Sequence, residues 1–512
     1  MYYQDLDTVE KFFGETLKVS DLTPEALTSE AMGSAIWRLV NFPVTEFSTQ
    51  NFTGSTTSFA ATPEDTPAED KRRRHWEKKL GMRTGLLTDL ANCFADLCNC
   101  ILKDQGPTSL QNLWILLAGY FALAPFELVG RSSTYADPER LNWVKSQMPS
   151  GTTIFTNKDK ERDFPFLLSQ QAILAPYTGK DGGDSLAAFP IETTPLYTGV
   201  PTQYQGEDAR PYGGLGGVFL DPFAWSSSAL TPLQDGPAGR VRVQPQSSFL
   251  NMGGLADWSG TTTAFIADYQ ATTSTSNWSD CTTSIVQLAL PHKNTWSPYN
   301  TDAAGTPITM NTPVGDAGIY DDLGHLPLLR RGIKKMVILD SSPIHEVVNG
   351  TDQTNPYEMT YTLAAFGQPN AGLPGQPVYP PGACAPSMAP HYMTVFHPED
   401  FRKLFDKVVA LIDAKEPVIV RDTFRVVDNE HWGIKGGWEA EIVWIIATPV
   451  QEWRDSLPET TEALLPSWFP NYASSEVFDR FTIGALSQFG AFLMEKAMPE
   501  VQALFQGEEV VV

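Results

Sequence analysis

The chain has 512 residues, 42% of them hydrophobic and 11% aromatic, which is enough apolar surface for a sizeable core and excludes wholesale disorder. Lys and Arg total 36 against 60 Asp and Glu, a formal charge of −24. That balance excludes nucleic acid as a partner and broad adsorption to anionic lipid, leaving room for a local basic patch only. Five cysteines, an odd number, make no disulfide framework in a chain of this size.

The opening residues, Met1 to Asp5, have neither a basic n-region nor an apolar h-region, so no secretory signal is expected and a cytoplasmic location follows. Residues 47–69, rich in Ser, Thr, Pro and acid, read as a mobile surface loop. They lead into the one strong basic run, Lys71 to Lys79. Two readings stay open for it: the solvated start of the following helix, or contact with lipid head-group phosphates with Trp76 at the interface. Leu86, Leu90, Phe94, Leu97 and Ile101 form one apolar helical stripe. Cys93, Cys98 and Cys100 lie in the same segment without any histidine at metal-ligand spacing, so they read as small buried hydrophobes. Leu113 to Val129 falls short of the ~20 apolar residues of a membrane span and contains Pro125 and Glu127. It is either a buried helix or a lipid-contacting helix near a site mouth.

Residues 180–245 and 251–312 read as loop-rich, with Gly213 to Gly217 as a flexible turn or a cradle for an oxyanion or phosphate. Lys334 to Asp340 is a short apolar run led by charge, the pattern of a buried strand in an α/β sheet. The stretch 368–392 is a Pro/Gly insertion without regular structure. A helix opens at Pro398 and Glu399 and repeats Phe401, Leu404, Phe405, Val408, Leu411 and Ile412 at three and four. Glu441 to Ala447 is a second buried strand, and Gly484 to Ala497 a final helix. The alternation predicts an α/β layered fold around a mainly parallel sheet.

The stretch that carries chemistry is Val314 to Ser342. Gly315-Asp316-Ala317-Gly318 puts a carboxylate on a tight turn of small residues, where it can approach another loop as a general base must. A short helix around Leu326 to Arg331 and the strand at Lys334 follow. This stretch resembles the Asp half of the Ser-Asp dyad in patatin-type and cytosolic phospholipase A2-type acyl hydrolases. The residues that carry the resemblance are Asp316-Ala317-Gly318, Pro327-Leu328-Leu329-Arg330-Arg331-Gly332, and Lys334 through Asp340. Alanine stands at the middle turn position where the family more often has glycine. Ile191 to Gly199, Gly216 to Phe223, Leu255 to Thr261 and Trp468 to Tyr472 are similar to further family elements, in the expected order.

The resemblance implies a three-layer α/β/α domain over residues 1–512. Within it would lie the loop and basic run at 46–80, a core with the Asp turn at 180–342, the insertion at 368–392 and a C-terminal α/β part at 393–512. It implies hydrolysis of phospholipid or lysophospholipid acyl esters, with Asp316 as base, no cofactor or metal, and peripheral contact with membranes. The dyad also needs a serine on a Gly-x-Ser-x-Gly strand-to-helix turn, and the sequence contains no such pentapeptide. Ser132 lacks the closing glycine, Ser487 has the wrong spacing on a helix, and Ser259 sits at a structural helix start. In the family, the elbow is followed closely by a segment like Tyr2 to Leu27, so the first strand and elbow are expected to be missing. The alternatives are a catalytically inactive relative acting as a lipid-binding or interaction protein, and an acidic protein binding carbohydrate through its 13 tryptophans. His325, nine residues after Asp316, reads as a surface or packing residue. His292, His345, His391, His397 and His431 show no metal spacing.

Overall fold

A computed structural model describes residues 16–28, 133–136, 138–147, 153–156, 166–178, 184–205, 214–225, 229–232, 241–244, 291–301, 303, 307–321, 323–341, 345–346, 357–358, 360–367, 393–466, 469–470 and 480–506. The basic run, the cysteine stripe, Leu113 to Val129, Ser132, Ser259 and the 368–392 insertion lie outside the described residues.

The described chain begins with α1 (Pro24–Thr28), then a short parallel pair, β1 (Ser133–Tyr135) and β2 (Thr153–Phe155), on either side of α2 (Leu141–Gln147). Next come β3 (Ser169–Thr178), β4 (Asp184–Thr193), β5 (Thr198–Gln205) and β6 (Gly214–Leu220), and a separate antiparallel pair, β7 (Ala229–Pro232) and β8 (Val241–Gln244). With β9 (His292–Thr301) and β10 (Pro307–Asp316), the strands β3 to β6 make a six-stranded sheet in the order β6-β5-β4-β3-β10-β9, every neighbouring pair antiparallel. It curls until its two edge strands, β6 and β9, approach each other. Inside the curl, Ile173, Phe189, Ile191, Val200, Tyr204, Met310 and Val314 pack with Trp225 as one buried cluster.

This sheet corrects two expectations, the loop-rich reading of 180–245 and of the end of 251–312, and the mainly parallel sheet. The strands hide behind their own composition. β5 and β10 contain Pro201, Pro307 and Pro313, and the ladder slips register between Val200 and Gln203 and between Pro307 and Thr309. Prolines and bulges are how a curled sheet bends, and they erase the period of two that marks a strand.

The second sheet has three strands in the order β11-β15-β14: β11 (Lys335–Asp340), a two-residue pair β12 (His345–Glu346) and β13 (Tyr357–Glu358) outside it, then β14 (Val418–Val426) and β15 (Trp438–Ile446). β11 runs parallel to β15 and β14 antiparallel to it. The helices here are α3 (Gly318–Asp321), α4 (Leu326–Arg330), α5 (Thr360–Ala365), α6 (Asp400–Asp413), α7 (Gln451–Asp455), α8 (Glu459–Glu462) and α9 (Arg480–Phe505). As the apolar runs predict, β11 and β15 are strands, and α6 lies where the three-and-four repeat put it.

Alternation along β15 sends its side chains two ways. Ile442, Trp444 and Ile446 join Phe401, Leu404, Phe405 and Val408 of α6 in the main core. Val443 and Ile445 join Phe481, Ala485, Phe489 and Leu493 of α9 in another. The small sheet therefore has a helix on each face. α6 is anchored by Asp400, whose carboxylate accepts the Arg425 amide at 2.8 Å and its guanidinium at 2.8 Å, tying the helix start to β14. It ends where Lys415 adopts a left-handed φ of 57°. α1 lies against α9 because Gly484 has no side chain: a Cβ there would sit 2.5 Å from the Leu27 carbonyl oxygen. Ser487 is buried on α9, a packing position. Among the described residues, no helix is long and apolar enough to cross a membrane.

Candidate functional site

Asp316 is the last residue of β10, paired in register with Gln171 of β3. There the chain leaves the sheet, Ala317 turns, and α3 begins. The Asp316 Oδ1 accepts the Gly318 amide at 2.8 Å, so the turn itself aims the carboxylate. Ala317 is 8% exposed, with its methyl group in the main core, and its backbone is not left-handed. Alanine therefore carries no strain at the position where the family more often has glycine.

Two side chains of α3 pin the turn to its surroundings. Tyr320 is fully buried, donates its hydroxyl to the Gln171 carbonyl at 2.9 Å and stacks on Trp432 at 5.0 Å. Burial pushes its phenol well above the usual range, and the neighbouring Asp321, Tyr204 and Asp316 add to the effect. Asp321 is a hub. Its Oδ2 accepts from Gln170 Nε2 at 2.8 Å and the Leu326 amide at 3.0 Å, and its Oδ1 from the His325 amide at 3.2 Å. It thus caps the short helix α4 and clasps β3 in the same carboxylate. The His325 Nδ1 lies 2.8 Å from Asp321 Oδ1, at ion-pair distance but without hydrogen-bond alignment. Its ring, 2% exposed, stacks on Phe396 at 5.9 Å. Of the two expected roles for His325, packing is the one found.

Beside this turn is an open cleft of about 630 Å³. Phe166, Leu167, Leu168, Leu323, Pro327 and Leu328 give it a largely apolar wall, and Ser169, Gln170, Asp316 and Asp321 its polar points. The two carboxylates differ. Asp321 is buried and accepts three hydrogen bonds, whereas Asp316 is half-buried at the cleft wall. Of the described residues lining the cleft, Ser169 is the one serine; it opens a strand rather than sitting on a strand-to-helix turn. Ser169, Gln170 and Asp321 were not singled out by sequence, and no local pattern marks them.

Two motif segments meet next to the cleft. Glu192, at the end of β4 and 1% exposed, takes the Arg331 guanidinium at 2.7 and 3.1 Å, contacts Arg330, and accepts the Tyr197 hydroxyl at 2.7 Å. Arg331 also donates to the Pro327 carbonyl at 2.8 Å, which links the cluster to the cleft wall. Burial and the like charge of Arg331 bring the Arg330 guanidinium down to about 10, so it remains charged at neutral pH. The Tyr197 phenol is raised, because burial outweighs the Arg331 charge and hydrogen bond.

The glycines of 213–217 form neither a turn nor a cradle where they are described. Gly214 opens β6, and Gly216 and Gly217 take left-handed φ of 82° and 67° inside it. A Cβ on Gly216 would stand 1.9 Å from the Thr202 carbonyl oxygen of β5, opposite the slipped register. Among the described residues, no three or more His, Cys, Asp or Glu side chains cluster as metal ligands. No family model, curated protein or solved structure matches this chain.

Proposed function

We propose that this chain carries the general base, Asp316, of a Ser-Asp lipid acyl hydrolase of the patatin/cytosolic phospholipase A2 type, acting on phospholipid or lysophospholipid acyl esters. The observation behind this reading is a carboxylate aimed by its own turn at the wall of a largely apolar cleft. Asp316 would take the proton as a serine oxygen attacks the ester carbonyl, and return it to the departing glycerol oxygen. It would then take a proton from the water that cleaves the acyl-enzyme and return it to the departing serine oxygen. The cleft's leucines suit an acyl chain. The helix on each face of the small sheet supports a three-layer patatin-like domain. Five cysteines without a disulfide framework support a reducing, cytoplasmic setting.

The nucleophile is the open part, since Gly-x-Ser-x-Gly is absent from the 512 residues. That absence favours the second reading, a catalytically inactive relative that binds lipid. Fluorophosphonate labelling and p-nitrophenyl ester hydrolysis separate the two. The chain as it stands should give neither. Fusing a Gly-x-Ser-x-Gly elbow segment to the chain should restore both, and Asp316→Asn should then reduce hydrolysis roughly 10²–10⁴-fold. Activity surviving Asp316→Asn would sink the dyad. Labelling of Ser169 in the unextended chain would place the nucleophile inside it.

A further inference from the structure

β14 is an edge strand of the small sheet. The amides of Glu441 and Ala447 donate to the carbonyls of Lys334 and Asp340, so the odd residues of β15 bond towards β11 and its even ones towards β14. The register sets even against even, Val420 against Trp444 for example. The odd residues of β14 therefore turn their backbone groups outward, away from the sheet. Most of these outward groups are closed by the chain itself. The Arg425 amide donates to Asp400 at 2.8 Å, and its carbonyl accepts from the His397 amide at 2.8 Å. The Thr423 amide donates to the Asp422 carboxylate at 2.7 Å, and its carbonyl accepts from Lys403. The Ile419 amide turns back to the Pro417 carbonyl at 3.0 Å. Three groups are left without a partner among the described residues: the Ile419 carbonyl and both the N–H and the C=O of Arg421. Against this same stretch lies a groove of about 370 Å³, walled by Lys407, Ala410 and Leu411 of α6 and by Glu500 of α9.

We propose that β14 pairs antiparallel with β14 of a second copy of this chain at this gap. The two-fold axis passes through Val420, so Arg421 of each copy stands opposite Ile419 of the other. An edge closed at Thr423 and Arg425 and ended by Pro417 excludes a long added strand. What remains open is three residues with one free donor and two free acceptors. That set completes itself under a two-fold: each Arg421 N–H donates to the other copy's Ile419 carbonyl. The Arg421 carbonyl is then placed to take the Ile419 amide as it leaves Pro417. Side chains select this register. Centring the pair on Arg421 would set two guanidinium groups face to face, which opposes pairing. Centred on Val420, each Arg421 stem lies beside an Ile419, and both belong to the α9 side of the sheet. The groove wall sets Lys407 and Arg421 against Glu500, a local excess of cations on a chain whose formal charge is −24, so this is a face where two copies repel least. α6 and α9 cover the two faces of the small sheet. Joined copies would extend three strands to six and add contacts between these helices to the few backbone bonds. The pairing goes beyond the Asp316 reading and does not depend on it.

Sedimentation velocity of the whole chain between ~1 and ~100 µM tests it, the range in which a contact of few hydrogen bonds is partly populated. A reversible monomer–dimer equilibrium is expected, and the Arg421 amide should exchange more slowly as concentration rises. Arg421→Pro removes one donor from each copy at an edge position that tolerates proline, and should weaken association at least roughly tenfold. Ala410→Glu, at an exposed position on the groove wall, is a second variant that leaves the strand untouched. It brings a carboxylate of each copy to the contact and should weaken association similarly. Leu464→Glu, exposed but outside the groove, should leave it unchanged. Circular dichroism checks that each variant is folded. A monomer at every concentration, or a dimer kept by the folded variants or lost with Leu464→Glu, would overturn the proposal. So would an Arg421 amide already protected in the monomer, which would mean that another segment of the same chain fills the edge.

Discussion

Glu192 gathers two guanidinium groups and a phenol around one carboxylate while being 1% exposed. Removing the charge from such a site leaves its cations without compensation, and breaking a buried pair from one side typically costs about 3–5 kcal/mol. Here the arginines are partly solvated, so Glu192→Gln should destabilise by about 3 kcal/mol, the low end of that range. The urea midpoint reads it. Adding Arg331→Met should recover part of the loss, which a double-mutant cycle would report as coupling. Tyr320→Phe is a milder test. It keeps the stack on Trp432 but removes the hydrogen bond to the Gln171 carbonyl, and should cost about 1 kcal/mol. Glu192, Arg330 and Arg331 all stand within stretches whose resemblance is legible in sequence. Their meeting is not, because an ion pair across 139 positions leaves no local period to read.

Among elements, α6 shows how a helix start can be made pH-sensitive. Burial alone would raise the Asp400 carboxyl, but the Arg425 hydrogen bonds, with the charges of Lys403 and Arg425, outweigh it and hold it below the usual range. Asp422 is likewise lowered: burial opposes, and hydrogen bonds from Lys407, the Thr423 amide and Lys403 prevail. A depressed folded value means that the unfolded chain takes up protons first as pH falls. The stabilisation is therefore fully present above the ordinary value near ~3.9 and is lost as pH drops through the folded values. Asp400→Asn should flatten that acid slope, as read from urea midpoints between about pH 5 and pH 2. α4 makes a second test. Asp321→Ala removes the acceptor for the His325 and Leu326 amides and frees Gln170, costing about 1–2 kcal/mol for the cap alone. Amide exchange should quicken first in α4 and at the start of β3. The apolar runs of β11 and β15 and the repeat of α6 were legible because these elements bury one or both faces fully. The curled sheet was not, because its prolines, glycines and slipped registers break the alternation that a flat strand would show.

For the whole molecule, the decisive contacts are those joining the two sheets. The loop between β14 and β15 reaches the curled sheet: Trp432 stacks on Tyr320, and the Tyr204 hydroxyl donates to the His431 carbonyl at 2.7 Å. Gly433 takes a left-handed φ of 68° there, where a Cβ would lie 3.3 Å from Arg330 Cδ. Trp432 is 1% exposed in a core that also holds Ala172 of β3 and Met336 of β11. Trp432→Ala should therefore cost about 3–5 kcal/mol and lower amide protection in both sheets together. Trp453→Ala, equally buried but set between α7 and α9, should weaken protection on the α9 side first.

Sequence by itself determined the acidic character, two of the small sheet's three strands, the long helices and the position of Asp316 on a turn of small residues. Each of these is written in neighbouring residues, as a charge count, a period of two or 3.6, or a turn composition. Tertiary structure alone decided that the six strands curl into one antiparallel sheet and that Asp321 and Gln170 clasp the Asp turn. It also decided that Glu192 draws in Arg330 and Arg331. Those are contacts between residues far apart in the chain, set by which faces the sheets bury against each other, and a face is chosen only when both partners are in place.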